Sequence, residues 1–239
     1  MKVKIPNFIL TKLKGIKNEE AVLLTGSQAT GKATGNSDWD FFIILKDGAP
    51  RWRKTTKLKN TWLELFCNNQ KQIKKEFKED LDEGRGITTQ MFATGQIVED
   101  NKNKILTKLV KQAKNNWKKG PHKLTGVKLG WINYNLSTYI QDLEDCLHDN
   151  NPAHLLINHA ANEFINYFYR LGNLWMPRPK DRLNNLRKQD PKIYNLIQKI
   201  NRANNWQQKT KLTIQLGKSV ANIYGLNLSG ETYIPPKKN

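Results

Sequence analysis

Two aspartates, Asp38 and Asp40, open the apolar run Phe41-Phe42-Ile43-Ile44-Leu45. Residues two apart on an extended strand project to the same face, so this pair can share divalent cations through its carboxylates. Two charges at the mouth of so apolar a strand are costly without a compensating cation. Trp39, between them, points the other way, toward packing. A third carboxylate on a neighbouring strand would complete the site, and Glu64 in Thr61-Trp62-Leu63-Glu64-Leu65-Phe66-Cys67 is a single acid flanked by apolar residues. If that strand lay at a sheet edge, Glu64 would read instead as a surface residue.

The segment just upstream, Gly26-Ser27-Gln28-Ala29-Thr30-Gly31-Lys32-Ala33, admits two readings. It is one residue from the phosphate-cradling loop G-x-x-x-x-G-K-[ST], but Ala33 stands where a magnesium-ligating hydroxyl is required. Thr34 comes one residue late, and Gly35-Asn36-Ser37 would break the helix that such a loop must open. The other reading takes Gly26-Ser27 as a tight turn after the strand Ala21-Val22-Leu23-Leu24-Thr25. Its amides and hydroxyl could then approach a phosphate closely, because glycine adds no side chain there.

The elements that would position these residues follow from periodicity. From Glu20 to about Asp100 the chain reads as mixed α/β, with strands at "AVLLTG", "WDFFIIL" and "WLELFC". Ile73, Phe77 and Leu81 recur every fourth residue, on a helix that Gly84 can end. After Asp100 the strand signals stop. Ile105, Leu109, Ala113 and Trp117 mark one helix, "KKGPHK" interrupts it, and three or four helices are expected beyond Leu124. One runs to near Asp149, one from Pro152 to near Gly172, and one or two lie between Asp181 and Tyr224, with Asp190-Pro191 a candidate division between them. The fold class expected is α+β, with a catalytic domain over 1–118 and a helical bundle over 119–239. The tail Ile234–Asn239 is expected to be loose.

At this point the residues resemble a family. Gly26-Ser27, a loop, then Ser37-Asp38-Trp39-Asp40 inside a hydrophobic strand is similar to the signature of the DNA polymerase β-like nucleotidyltransferase superfamily. The turn Gly31-Lys32-Ala33 leading into it is typical of small bacterial members, the antibiotic-modifying (aminoglycoside- or kanamycin-nucleotidyltransferase-like) and minimal types. The stretch from Gly95 through Asp100 into the following helix also resembles the segment that closes the catalytic domain in antibiotic-modifying relatives. The resemblance implies that Asp38, Asp40 and Glu64 hold two magnesium ions and carry the catalysis, with Glu64 either the general base or only a metal ligand. Gly26 and Ser27 would hold the β and γ phosphates of an NTP, ATP being the donor expected, with Gln28, Lys32 and Ser37 also against the nucleotide. Relatives often carry Arg directly after Gly-Ser; Gln28 can hydrogen-bond a phosphate but not neutralise it, and Lys32 is the candidate to compensate. The reaction implied is transfer of a nucleoside monophosphate to a hydroxyl, releasing pyrophosphate.

The acceptor is pulled two ways. Asp142, Asp145 and Asp149 share one helix face, which suits a polycationic antibiotic or is simply solvated. Forty Lys and Arg against twenty-one Asp and Glu give a net charge of +19, which repels a polycation and attracts RNA, or else reflects a Lys- and Asn-rich surface. The first expectation is a small antibiotic-like acceptor. The alternatives are tRNA or another RNA, a partner protein in the manner of a toxin-antitoxin module, or a non-catalytic nucleotide- or RNA-binding protein. A homodimer with an acceptor pocket across it is a further expectation from the antibiotic-modifying relatives.

Aromatic residues of the helical half, among them Trp131, Tyr134, Phe164 and Tyr167, could stack a ring but at helical spacing read first as core. The basic segment with Arg178, Lys180, Arg182, Arg187 and Lys188 is a candidate polyanion contact or a solvated loop. No Arg precedes a His at the R-x(4-6)-H spacing of the helical RNase toxins, and the four histidines form no metal pair. Cys67 and Cys146 suggest neither a disulfide framework nor a zinc site. No run approaches the ~18 apolar residues of a membrane span, and a cytoplasmic location with no membrane partner is expected.

Overall fold

A computed structural model describes residues 3–228, so the tail Ile234–Asn239 lies outside the described residues. The chain divides into two compact units, Met1–Pro121 and His122–Asn239.

The first unit is built on a five-stranded mixed sheet. Its strands are β1 (Glu19–Thr25), β2 (Trp39–Leu45), β3 (Trp52–Leu58), β4 (Thr61–Asn69) and β5 (Gln96–Glu99), in the spatial order β3-β4-β2-β1-β5. β2 and β4 run parallel and every other neighbouring pair is antiparallel. β1 and β2 are buried on both faces over Ala21–Thr25 and Phe41–Leu45, which is why both read as continuous apolar runs rather than alternating ones.

Each face of the sheet has its own core. On one, Val22, Leu24, Phe41, Ile43, Leu63 and Leu65 pack with Ile9 and Leu13 of α1 (Asn7–Lys14). On the other, Leu23, Phe42 and Ile44 pack under α3 (Gln70–Glu83), α4 (Ile87–Thr94) and α5 (Ile105–Lys119) through Ile73, Phe77, Phe92, Leu106 and Leu109. α3 ends, as its spacing predicts, at Gly84 in the left-handed conformation. A five-residue helix, α2 (Gly26–Thr30), follows β1 directly.

Five elements of this unit escape the periodicity: α1, α2, β3, α4 and β5. β3 is an edge strand in which only Thr56 and Leu58 are partly buried, so it carries no apolar pattern. It joins β4 through Lys59 and Asn60, both at positive φ (45° and 63°), the geometry of a two-residue hairpin loop without its usual glycine. α4 and β5 are short, and α4 is capped from outside: Asp80 of α3 accepts from Ile87 N and Thr89 N at 3.2 and 2.6 Å.

The second unit is helical: α6 (Gly126–His148), α7 (His154–Leu171), α8 (Pro179–Gln189), α9 (Pro191–Arg202) and α10 (Trp206–Ile223). Here one expectation fails. Three helices, not one or two, occupy the stretch ending at Ile223. Asp190-Pro191 makes the first break, the Asp190 carboxylate accepting from Lys192 N and Ile193 N at 2.8 and 3.0 Å. Asn205 makes the second, its side chain accepting from Gln208 N at 2.8 Å. Both are side-chain N-caps; the first is the division the sequence offers at Asp190-Pro191, and only the second, at Asn205, had no signal in the apolar periodicity. Phe164, Tyr167, Phe168 and Tyr169 are core, and Asp142 and Asp145 lie on an exposed face. In the basic segment, Arg178 pairs with Asp181 and Arg182 donates to Asn166 Oδ1 at 3.1 Å, so two of the five cations have intramolecular partners. Among the described residues no helix is long and apolar enough to cross a membrane.

Candidate functional site

The strand registers decide which of the candidate residues meet. Thr25 stands opposite Asp40 across the antiparallel β1–β2 pair, Asp40 opposite Glu64 across the parallel β2–β4 pair, and Glu64 opposite Thr55 of β3. One row of side chains therefore crosses four strands at the end of the face that α3, α4 and α5 cover. Asp38 lies one residue before β2 rather than on it, and is exposed. Even so, Asp38, Asp40 and Glu64 each bring a carboxylate oxygen within 4.8 Å of the others. β4 is an inner strand, so the surface reading of Glu64 as an edge residue does not apply.

The approach of α2 explains the glycine before Ser27. Gly26 has φ +70°, and a Cβ built there would sit 2.9 Å from Asp40 Cγ and overlap Oδ2. Its requirement for glycine is thus set first by the aspartate beside it. Thr25, fully buried, donates through Oγ1 to Met91 O of α4 at 3.1 Å and fixes the point at which the chain turns.

Between α2 and Asp38 the chain folds into a turn of its own. Gly31 ends α2 in the left-handed conformation, and Lys32 N donates back to Ser27 O. Ser37 Oγ accepts from Thr34 N at 2.8 Å, Ser37 N donates to Thr34 O at 3.0 Å, and Gln28 Nε2 donates to Ser37 O at 3.5 Å. Gln28 and Ser37 are therefore brought together with each other, where they clasp the loop that delivers Asp38. Lys32 is exposed beyond the helix cap. No helix opens after Gly31-Lys32-Ala33, which removes the P-loop reading.

One residue beside the carboxylates had no signal in the sequence. Arg53, on β3, donates through Nε to Glu64 Oε1 at 3.0 Å and through Nη2 to the same oxygen, while its guanidinium lies 4.5 Å from the centre of the Phe66 ring. Next along that face, Lys57 lies 5.7 Å from the centre of the Trp62 ring, which is half exposed. Only the hairpin register places Arg53 beside Glu64.

Three crowded carboxylates, with Glu64 paired to Arg53, form a hard-oxygen donor set, the kind that suits magnesium or manganese rather than zinc. Residues 7–104 match the family model described as polymerase beta, nucleotidyltransferase. The first unit is a polymerase β-like nucleotidyltransferase domain. The crystal structure of a nucleotidyltransferase-like protein from Exiguobacterium sibiricum aligns with a TM-score of 0.54 over 91% of this chain and 73% of its own, at 13% identity, which is a likeness of fold. No curated protein matches the sequence. Asp100, between β5 and α5, is held by backbone hydrogen bonds. The Asp100 carboxylate accepts from Leu106 N and Thr107 N and caps α5; burial opposes its ionisation, but these hydrogen bonds outweigh that and hold its pKa below the usual value.

Proposed function

We propose that this protein is a metal-dependent nucleotidyltransferase that moves a nucleoside monophosphate from an NTP, ATP first, to a hydroxyl of a small acceptor, with an antibiotic-like molecule as the leading class. The observation that carries this reading is the meeting of Asp38, Asp40 and Glu64 within 4.8 Å beside Gly26. In it, Asp38 and Asp40 hold two magnesium ions with Glu64 as the third ligand. When bound, the ions supply charge to the triphosphate and acidity to the acceptor hydroxyl.

The chain's own groups do the rest. Gly26 and Ser27 lie next to Asp40 and present amide and hydroxyl donors to the β and γ phosphates. Gln28 donates to Ser37 O, next to Asp38, and ties α2 to the loop before β2. Arg53 engages Oε1 of Glu64. Glu64 serves the step as general base or only as a metal ligand, while the acceptor oxygen loses its proton and bonds to the α phosphorus and the bond to pyrophosphate breaks. The helical unit is assigned the choice of acceptor. RNA as acceptor is the second reading, favoured by Arg53, Lys57 and Trp62 on the Glu64 side of the row.

Titration with each of the four NTPs, with and without magnesium, tests the proposal in wild type and in an Asp38→Asn/Asp40→Asn variant. Magnesium-dependent binding of one NTP, lost in the variant, is the expected result, and pyrophosphate release over an acceptor panel then identifies the acceptor. NTP binding indifferent to both magnesium and the aspartates would overturn it.

A further inference from the structure

The sheet face opposite the carboxylates carries a second concave surface. Beside α1, between it and the edge strand β3, lies an open trough of about 550 Å³, within the size range of ligand sites. Phe8, Lys12 and Lys17 line one wall and Trp52, Lys54 and Lys59 the other, over an apolar floor that includes Leu65; no acidic residue lines it. Lys12, Lys17, Lys54 and Lys59 are all exposed. Lys59 Nζ lies 5.3 Å from the centre of the Phe8 ring, and Trp52 is 36% exposed.

Lysines on an edge strand have an ordinary use, since they keep strands of other chains from pairing with it. That use covers Lys54 on β3, but not Lys12 and Lys17, which stand on or just after the helix across the trough. Four ammonium groups on both walls, with two aromatic rings between them, match a ligand that alternates anionic and planar groups. A single nucleic-acid strand has that chemistry, phosphates for the lysines and base faces for Trp52 and Phe8. An acidic peptide would use the lysines and leave the rings unused. A bilayer surface would not enter a trough.

We propose that the α1–β3 trough is a binding site for single-stranded RNA, separate from the carboxylate site. It does not depend on the nucleotidyl-transfer reading. The test is fluorescence anisotropy of a short labelled oligouridylate with the full chain in EDTA at low salt, which removes metal from the readout. A Lys12→Glu/Lys54→Glu variant is expected to weaken binding about tenfold or more and to flatten its salt dependence. Trp52→Ala is expected to weaken it by about tenfold through lost stacking. Lys108→Glu/Lys114→Glu, the same charge change at exposed positions of α5 on the opposite sheet face, should change it by no more than about twofold at moderate salt. Equal loss in that control would assign binding to the diffuse field of the +19 chain and overturn the site. So would full affinity in Trp52→Ala, or displacement of the RNA by polyglutamate at equal charge. Thermal unfolding of each variant confirms that the fold is intact.

Discussion

Gly26 and Asp40 lie close together in the candidate site, and their closeness makes a specific demand on one backbone position. Alanine at residue 26 would take a left-handed conformation that costs a side-chain-bearing residue about 1–2 kcal/mol. It would also push on the Asp40 carboxylate, which must then turn away from Asp38 and Glu64. Gly26→Ala is therefore expected to lose about that much stability in denaturant unfolding, and to lose magnesium-dependent NTP binding by a larger factor than the stability change alone explains. Unchanged binding would show that the Asp40 rotamer is not held by this contact. The grouping of Asp38, Asp40 and Glu64 was legible in the sequence, because carboxylates at the mouth of an apolar strand have few other uses. Arg53 was not. It lies eleven residues from Glu64, a separation no helix or strand period connects, and only the register of the β3–β4 hairpin makes them neighbours.

At the scale of elements, α4 links the helical layer to the site, since Met91 O receives Thr25 just before the turn at Gly26. α4 has no side-chain cap of its own and takes Asp80 of α3 instead. Burial raises the Asp80 carboxyl from 3.8 to about 6, despite the amides of Thr89 and Ile87, which favour the charged form. A folded-state pKa above the unfolded one stabilises the fold at acid pH, and that contribution is lost as pH rises from 3.8 through about 6. Asp80→Asn, which cannot titrate, is thus expected to compare worst with wild type below pH 4. The gap should narrow by up to about 3 kcal/mol once pH passes 6. Urea unfolding from pH 4 to pH 7 measures it, and a constant gap would mean that Asp80 titrates normally. Cys67, by contrast, is pushed up to about 12 by burial in the sheet and will not act as a nucleophile. Strands β1, β2 and β4 and helices α3, α5, α6 and α7 announce themselves by apolar pattern, whereas β3, an exposed polar edge strand, has none to show.

At the scale of the whole molecule, the core residues among those described form three sets, each drawn from a single unit. Both sheet cores are drawn from the first unit and the helical core from the second. The polypeptide 1–121 is accordingly expected to fold cooperatively by itself and to keep magnesium-dependent NTP binding, as read by circular dichroism and the same titration. A molten 1–121 chain would show that the second unit is needed for the first to fold. The sequence by itself determined the class of the fold, the change from strands to helices after Asp100, and the identities of the three carboxylates. Those are local properties, carried by periodicity and by charge set against apolar neighbours. The tertiary structure alone decided that Asp40 and Glu64 share a register across parallel strands and that Gln28 clasps Ser37 rather than standing alone. It also brought Arg53 to Glu64, and it alone set Phe8 and Lys12 of α1 across a trough from Trp52 and Lys54 of β3. Each of those pairs joins residues whose separation along the chain carries no signal, so only the packing of strands and helices around the two faces of the sheet brings them together.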